Sequence, residues 1–299
     1  MILEVVNMTE LRKIDVARVT DKVLDHAQRY FRSEGFIEIK PVMLARVTDP
    51  LDGDPGSAVQ KTGTIEYGGQ NLSLMQSMIL HKQKLIAEGF DRIFILSPNI
   101  RLEKPEREKT GKHAFEFMQI DFEIARGRKE EVFPLVEGFL GSVSTAVQTE
   151  CADILEGRDL KPITPPFERY EAKELEAQYG TEWESVMSKK STQPFWALGH
   201  EREFYDDEKN NYDLILPEGY GEVLSGGQRV HETEAVLKRM EAHGILEKNK
   251  EYVEFAKQGI IPSAGGGIGI DRLVRYFTGA EHVGDVQLFP RIPGRHVQF

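Results

Sequence analysis

One stretch constrains the fold more than any other: Ala114-Phe115-Glu116-Phe117-Met118-Gln119-Ile120-Asp121-Phe122-Glu123-Ile124. Its residues alternate. Phe117, Gln119, Asp121 and Glu123 fall on one face of a strand, and Met118, Ile120, Phe122 and Ile124 on the other. The ordinary role of such a strand is a half-exposed sheet with one wet face. The residues before it shift that reading. Arg101 and Glu103 lie two apart on a preceding strand and share a face, and the connecting loop carries Lys104, Arg107, Lys109 and Lys112, with His113 near its tip. An arginine, a stackable phenylalanine and carboxylates on one surface suit a nucleotide: guanidinium on phosphate, ring on base, carboxylates for a metal or an amine.

Around this hairpin the sequence alternates helix and strand signals. Leu11, Ile14, Val19, Val23, Ala27, Tyr30 and Phe31 trace one stripe of a long helix, capped by Thr9 or Asn7 and ended by Gly35; Phe36 to Ile39 is a short strand stopped at Pro41. Residues 46–70, rich in Gly, Asp, Pro and Thr, read as a long loop of the kind that is often functional. Further strands are expected at 72–74, 92–96, 196–198, 212–216 and 228–231, and helices at about 77–88, 129–150, 233–243, 249–258 and 270–277. The pattern is α+β, an antiparallel sheet with helices, with a partly separate stretch near 155–190.

Two more segments carry chemistry. Gly265-Gly266-Gly267-Ile268-Gly269-Ile270-Asp271-Arg272-Leu273 is a glycine run opening a helix. It fails the dinucleotide fingerprint, because Arg272 stands where the last glycine belongs. Close backbone packing and an arginine facing a polyphosphate are both open to it. Asp213 to Arg229 reads as a turn-rich segment with hard oxygen donors in Asp213, Glu222 and Ser225, suited to Mg²⁺ beside phosphate. The histidines lack zinc-protease spacing. With 38 Lys and Arg against 49 Asp and Glu, the net charge of -11 draws the chain neither to phosphate backbones nor to anionic lipid. The lone Cys151 excludes an internal disulfide and, with no long apolar run, points to a cytoplasmic setting away from membranes.

In this order the three segments resemble the signature motifs of class II aminoacyl-tRNA synthetases, specifically the catalytic core of the aspartyl/asparaginyl group. The first helix with Gly35 to Pro41 is similar to motif 1, which in that family builds a dimer interface. Arg101-Leu102-Glu103 with His113 to Asp121 is similar to motif 2, and Gly267 to Leu273 to motif 3. The resemblance implies an antiparallel sheet flanked by helices, a homodimer, and ATP with Mg²⁺. It places Arg101 on the α-phosphate, Phe117 on adenine, and His113 and Arg272 on the distal phosphates, with Glu103 and Gly269 also at ATP. Asp213, Glu222 and Ser225 would hold Mg²⁺, and Gln76, Lys82, Gln119, Asp121 and Arg229 the amino acid. The catalytic set would be Arg101, Glu222 and Arg272.

Departures shape the expected reaction. The 299 residues start at the core helix, so the expectation is one catalytic domain over 1–299 without the preceding anticodon-binding barrel. Asp54 to Ala58 lacks the Glu-Gly-Gly of the aspartyl enzymes' flipping loop, and Ile79 stands where a glutamine often contacts substrate. Such a core is similar to the archaeal asparagine synthetases related to asparaginyl-tRNA synthetase. The expectation is therefore an AMP-forming aspartate–ammonia ligase that makes asparagine from aspartate, ammonia and ATP through a β-aspartyl-adenylate, with tRNA not a partner. Free ammonia is the expected nitrogen donor, because Met1 is followed by Ile2 and no N-terminal cysteine nucleophile is present. The alternatives are a compact asparaginyl- or aspartyl-tRNA synthetase and a non-catalytic paralogue that senses amino acid or adenylate.

Overall fold

A computed structural model describes residues 11–49, 51, 59–200 and 202–297. The caps proposed for the first helix, Met1-Ile2 and the departure at 54–58 lie outside the described residues. The chain begins with α1 (Lys13–Ser33), β1 (Ile37–Glu38), β2 (Leu44–Ala45), β3 (Val59–Lys61), β4 (Thr64–Tyr67), β5 (Gln70–Leu74) and α2 (Ile79–Ala87). It continues with β6 (Arg92–Ile100), β7 (Leu102–Glu103), β8 (Glu116–Ala125), α3 (Lys129–Glu150), β9 (Glu168–Glu171), α4 (Ala172–Tyr179) and α5 (Trp183–Lys190). The last third holds β10 (Phe195–Leu198), β11 (Asp206–Leu216), β12 (Gly221–Arg229), α6 (Thr233–Ala242), α7 (Lys250–Lys257), β13 (Ser263–Gly269) and α8 (Ile270–Thr278).

Eight strands form one sheet in the order β1-β6-β8-β13-β12-β11-β10-β9, antiparallel except where β1 meets β6 and β9 meets β10. The alternating stretch 114–124 supplies β8, which lies inside this sheet between β6 and β13. Its apolar face does what alternation dictates: Ile120, Phe122 and Ile124 are buried against α1, α3 and α8. Phe31 of α1 lies 5.4 Å from Phe94, 5.5 Å from Phe122 and 5.6 Å from Phe139, ring centre to ring centre. The stripe on α1 (Val16, Val19, Val23, Ala27, Phe31) is thus consumed by the chain's own core and does not by itself call for a partner.

Three expectations about local structure change. The strand expected at 92–96 runs on to Ile100 as β6, which pairs with β8 from Arg92 opposite Ile124 to Ile100 opposite Glu116, whereas Arg101 follows it and Glu103 lies on the separate β7, paired with β3. The strand expected at 212–216 is the end of β11, and the turn-rich segment 213–229 is the β11–β12 hairpin, turned only at Pro217 to Tyr220 with Glu218 and Gly219 at positive φ. Residues 155–190 are not separate, because β9 extends the main sheet and Leu155, Leu160, Ile163 and Phe167 enter the main core. Turn residues are dense in the last two segments, and local composition hides pairing that only distant strands supply.

Candidate active site

The polar face of the sheet carries the site. Cross-strand register aligns Asp213, Ser225, Gly267 and Asp121 in one row, and Asn211, Gly227, Gly265 and Glu123 in the next. Glycines at the centre of both rows keep β13 from filling the space above it. A Cβ at Gly267 would lie 3.0 Å from the Gln119 amide, and one at Gly269 would lie 3.4 Å from Cδ of Arg272. The glycine run is therefore a strand that leaves its polar face open, rather than a phosphate loop.

A bulge completes the wall. Leu214 faces Leu224, but Ile215 faces Glu222, so Val223 is the extra residue. Side chains three apart on a regular strand point to opposite faces; the bulge turns Glu222 to the same face as Ser225 and Asp213. The result is a cavity of about 350 Å³. Of the fourteen expected site residues it is lined by Lys82, Arg101, Glu103, His113, Phe117, Gln119, Asp121, Asp213, Glu222, Ser225, Arg229, Gly269 and Arg272. Gln76 is the exception. It is buried, its side-chain amide donates to the Asp49 carbonyl (2.6 Å), and its main-chain carbonyl accepts from Arg101 Nε (3.1 Å), while its side-chain Oε1 has no hydrogen-bond partner.

The floor is a buried ionic network. Arg229 donates through Nε and Nη2 to the two oxygens of Glu123 (2.9 and 3.0 Å) and through Nη1 to Asp206. Ser263 donates to Glu123 at 2.8 Å, and Lys82 pairs with Asp121 and lies 3.2 Å from Glu123. Burial pushes the Glu123 acid up, but the charges of Arg229 and Lys82 outweigh it and hold the carboxyl below its ordinary value.

The opposite end is cationic. Arg101 sits 5.3 Å from the centre of the Phe117 ring. Arg272 donates to the Glu222 carboxylate (2.9 Å) and to the Glu222 and Lys112 carbonyls (2.9 and 3.2 Å). Burial opposes the charge on Glu222, yet Arg272, Lys112 and Arg202 bring its acid down to about 2. His113 is pressed the other way: burial, then Arg272, Arg107 and Lys112, lower it to about 2, so it is neutral. Thr110 gives its single hydroxyl proton to the Arg107 carbonyl (2.7 Å). In its close contact with that hydroxyl, His113 Nδ1 must therefore be the donor, and Nε2 is left as an acceptor.

Several lining residues went unrecognised in the sequence. Glu184 on α5 accepts from Lys112 and from the Glu222 amide (3.1 Å), and Trp183 stacks on His200 with ring centres 5.8 Å apart. Arg202 pairs with Asp213, and His200 approaches its other oxygen at 3.3 Å. Charged residues crowd the interval 199–206 between two strands, a signal for Arg202 and Asp206; nothing local marks Trp183 or Glu184.

Among the described residues no cluster of three or more His, Cys, Asp or Glu side chains is arranged to hold a metal ion by itself. The wall offers carboxylates flanked by cations, which fits Mg²⁺ arriving on a polyphosphate better than a protein-built cage. No described helix is long and apolar enough to cross a membrane.

Residues 4–293 match the family described as tRNA synthetases class II (D, K and N). The chain belongs to this family. It is 29% identical to the aspartate–tRNA(Asp/Asn) ligase of Methanopyrus kandleri, over 92% of this chain and 67% of that one. It is 28% identical to the asparagine–tRNA ligase of Pyrococcus furiosus, over 94% and 69%. The asparaginyl-tRNA synthetase of Pyrococcus horikoshii, solved with asparaginyl-adenylate, superimposes with a TM-score of 0.84 at 23% identity, covering 96% of this chain and 70% of that one. The α+β class II synthetase fold is thereby established. These relatives are tRNA ligases, not aspartate–ammonia ligases. That finding overturns the expectation of an ammonia-dependent asparagine-forming enzyme and, with it, the expectation that tRNA is not a partner.

Proposed function

We propose that the chain activates aspartate with ATP, giving aspartyl-adenylate and pyrophosphate, and passes the aspartyl group to tRNA. The observation that carries this reading is the polarity of the cavity. Two buried cations, Lys82 and Arg229, stand at its floor among the carboxylates of Asp121, Glu123 and Asp206, any of which a substrate carboxylate could replace, and Arg101, Lys112 and Arg272 stand at its other end around Phe117. A floor with two cations suits the side-chain carboxylate of aspartate, and Asp121 suits its ammonium. The far end suits a triphosphate with its base against Phe117. The names of the relatives supply the acceptor, tRNA.

In the reaction the amino-acid α-carboxylate attacks the α-phosphorus and pyrophosphate leaves. Negative charge spreads over the phosphoryl oxygens, and preorganised cations near them act where water is excluded. Arg101, braced by the Gln76 carbonyl, meets the α-phosphate. Arg272, held by Glu222 and the Lys112 carbonyl, meets the distal phosphates. Glu222, with Asp213 and Ser225 on the same face, would hold Mg²⁺ beside the nucleotide, where it would supply further neutralisation of the phosphates.

The test is ATP–pyrophosphate exchange with aspartate or asparagine, then charging of total tRNA. Exchange with aspartate and formation of aspartyl-tRNA are expected, with Arg272→Ala and Glu222→Ala lowering exchange at least about a hundredfold in a folded protein. Exchange with neither amino acid refutes activation. Exchange with asparagine alone refutes the reading of the floor.

A further inference from the structure

The corner where Asp213 and Glu222 meet already contains a cation. Both oxygens of Asp213 are engaged, one by Arg202 Nη2 and the other by His200 Nε2 at 3.3 Å. Glu222 beside Asp213 is engaged by Arg272 at 2.9 Å, so cations stand on both carboxylates of the corner. The Arg202 side chain is 9% exposed, so this is an interior charge and not a surface arm. Arg239 of α6 pins the backbone that carries it, donating to the Arg202, Glu203 and Asp206 carbonyls at 3.3, 3.0 and 2.8 Å. His200 is pinned in turn: its amide donates to Asn211 Oδ1 at 2.8 Å and its ring stacks on Trp183.

A guanidinium never gives up its charge at any pH a protein survives. Two carboxylates and a serine on one face would otherwise form a ready seat for a free divalent ion. With Arg202 in that seat, an incoming dication meets a fixed positive charge and loses one of its two carboxylates. A dication that arrives on ATP brings phosphate oxygens of its own and needs less from the wall.

Resting on the reading of the cavity as an ATP site, we infer that Arg202 is a resident counter-charge that excludes free divalent ions from the Asp213–Glu222 corner until nucleotide delivers one. Arg202 is in this sense a positioning residue: it occupies one oxygen of Asp213 and holds that carboxylate in place, and sets the order of binding as nucleotide with metal, never metal first.

The experiment measures Mn²⁺ binding to the whole chain by paramagnetic resonance of the free ion, with Trp183 fluorescence as a second readout, with and without a non-hydrolysable ATP analogue. Without analogue, wild type and Arg202→Lys should bind Mn²⁺ weakly, and Arg202→Gln at least tenfold more tightly. Glu222→Gln added to Arg202→Gln should abolish that gain. With analogue, wild type should bind Mn²⁺ tightly. Equal nucleotide-free affinity in wild type and Arg202→Gln overturns the inference. If Arg202→Gln does not fold, wild type decides alone: tight nucleotide-free binding that Asp213→Asn removes also overturns it. None of these measurements needs turnover, so a failure of the proposed reaction shows in the exchange assay and a failure of this inference shows here.

Discussion

Gly265 and Gly267 sit two apart on the same face of β13, and the structure assigns a methyl group very different consequences at the two. A Cβ at Gly265 would lie 2.9 Å from Glu123 Cα and closer still to the Phe122 carbonyl oxygen and Glu123 Oε2. Neither neighbour can yield cheaply. β13 is laddered on both sides, to β12 and to β8, and the Glu123 carboxylate is fixed by Arg229, Ser263 and Lys82. Overpacking a rigid site costs about 1–3 kcal/mol, and displacing a charged hydrogen bond adds about 1.5–3. Gly265→Ala should therefore destabilise by about 3–5 kcal/mol, a fall in Tm on the order of 10 °C for a chain of this size. At Gly267 the nearest atoms are the Gln119 amide group at 3.0–3.2 Å, the end of a flexible side chain held by one neutral hydrogen bond, from Asn99 Nδ2 at 2.8 Å, that can follow a shift of a few tenths of an ångström. Gly267→Ala should cost less than about 1 kcal/mol in stability, while its methyl projects into the cavity and raises KM for ATP or amino acid. Urea unfolding at constant slope measures the first effect and pyrophosphate exchange the second. Equal urea midpoints for the two variants, or Gly265→Ala within about 0.5 kcal/mol of wild type, would refute this account of the glycine strand.

Three further outcomes are expected. Arg229→Ala strands Glu123 and Asp206 in the floor without their cation and should cost about 3–5 kcal/mol in unfolding experiments; Arg229→Lys should recover little of it, because an ammonium cannot span both Glu123 oxygens. His113 is neutral with its proton on Nδ1, so donating from Nε2 to a phosphate requires a second proton. ATP binding near pH 7 should then take up protons, seen as a dependence of calorimetric binding heat on the buffer's ionisation enthalpy, and the uptake should vanish in His113→Asn. Asp271 is raised from 3.8 to about 6, chiefly by burial, against the hydrogen bond from Gln287 (2.9 Å) and the charge of Arg272. A raised carboxyl binds its proton more tightly when folded, so its contribution to stability is full below about pH 4 and fades as pH rises through about 6. That contribution is up to ~3 kcal/mol. Asp271→Asn should flatten stability between pH 4 and 6, and an unchanged slope would remove the assignment.

What could be read from the sequence, and what could not, divides along a physical line. The alternation in β8 identified both faces correctly because period two is a property of the backbone itself, and burial of Phe122 beside exposure of Asp121 to the cavity follows from it. The helices at 129–150 and 270–277 lie within a residue of α3 and α8, because the 3.6-residue period is likewise set by the backbone. The hairpin at 206–229 is legible only at 212–216 and at its far end, because the pairing partners of the rest lie across the sheet and its composition is that of turns. Its bulge at Val223 is invisible to periodicity, although Glu222 reaches the cavity wall only through it. Local pattern gives the direction in which a side chain points, and tertiary register gives what it meets. Arg229 shows the difference: its position in the floor was expected, but the engagement of Nε, Nη1 and Nη2 by Glu123 and Asp206 was not. A ligand carboxylate arriving there must compete with carboxylates already present. On the proposed function, aspartate would bind by exchange within a network, and discrimination against asparagine would rest on how much of the Arg229–Glu123 pairing the exchange gives up.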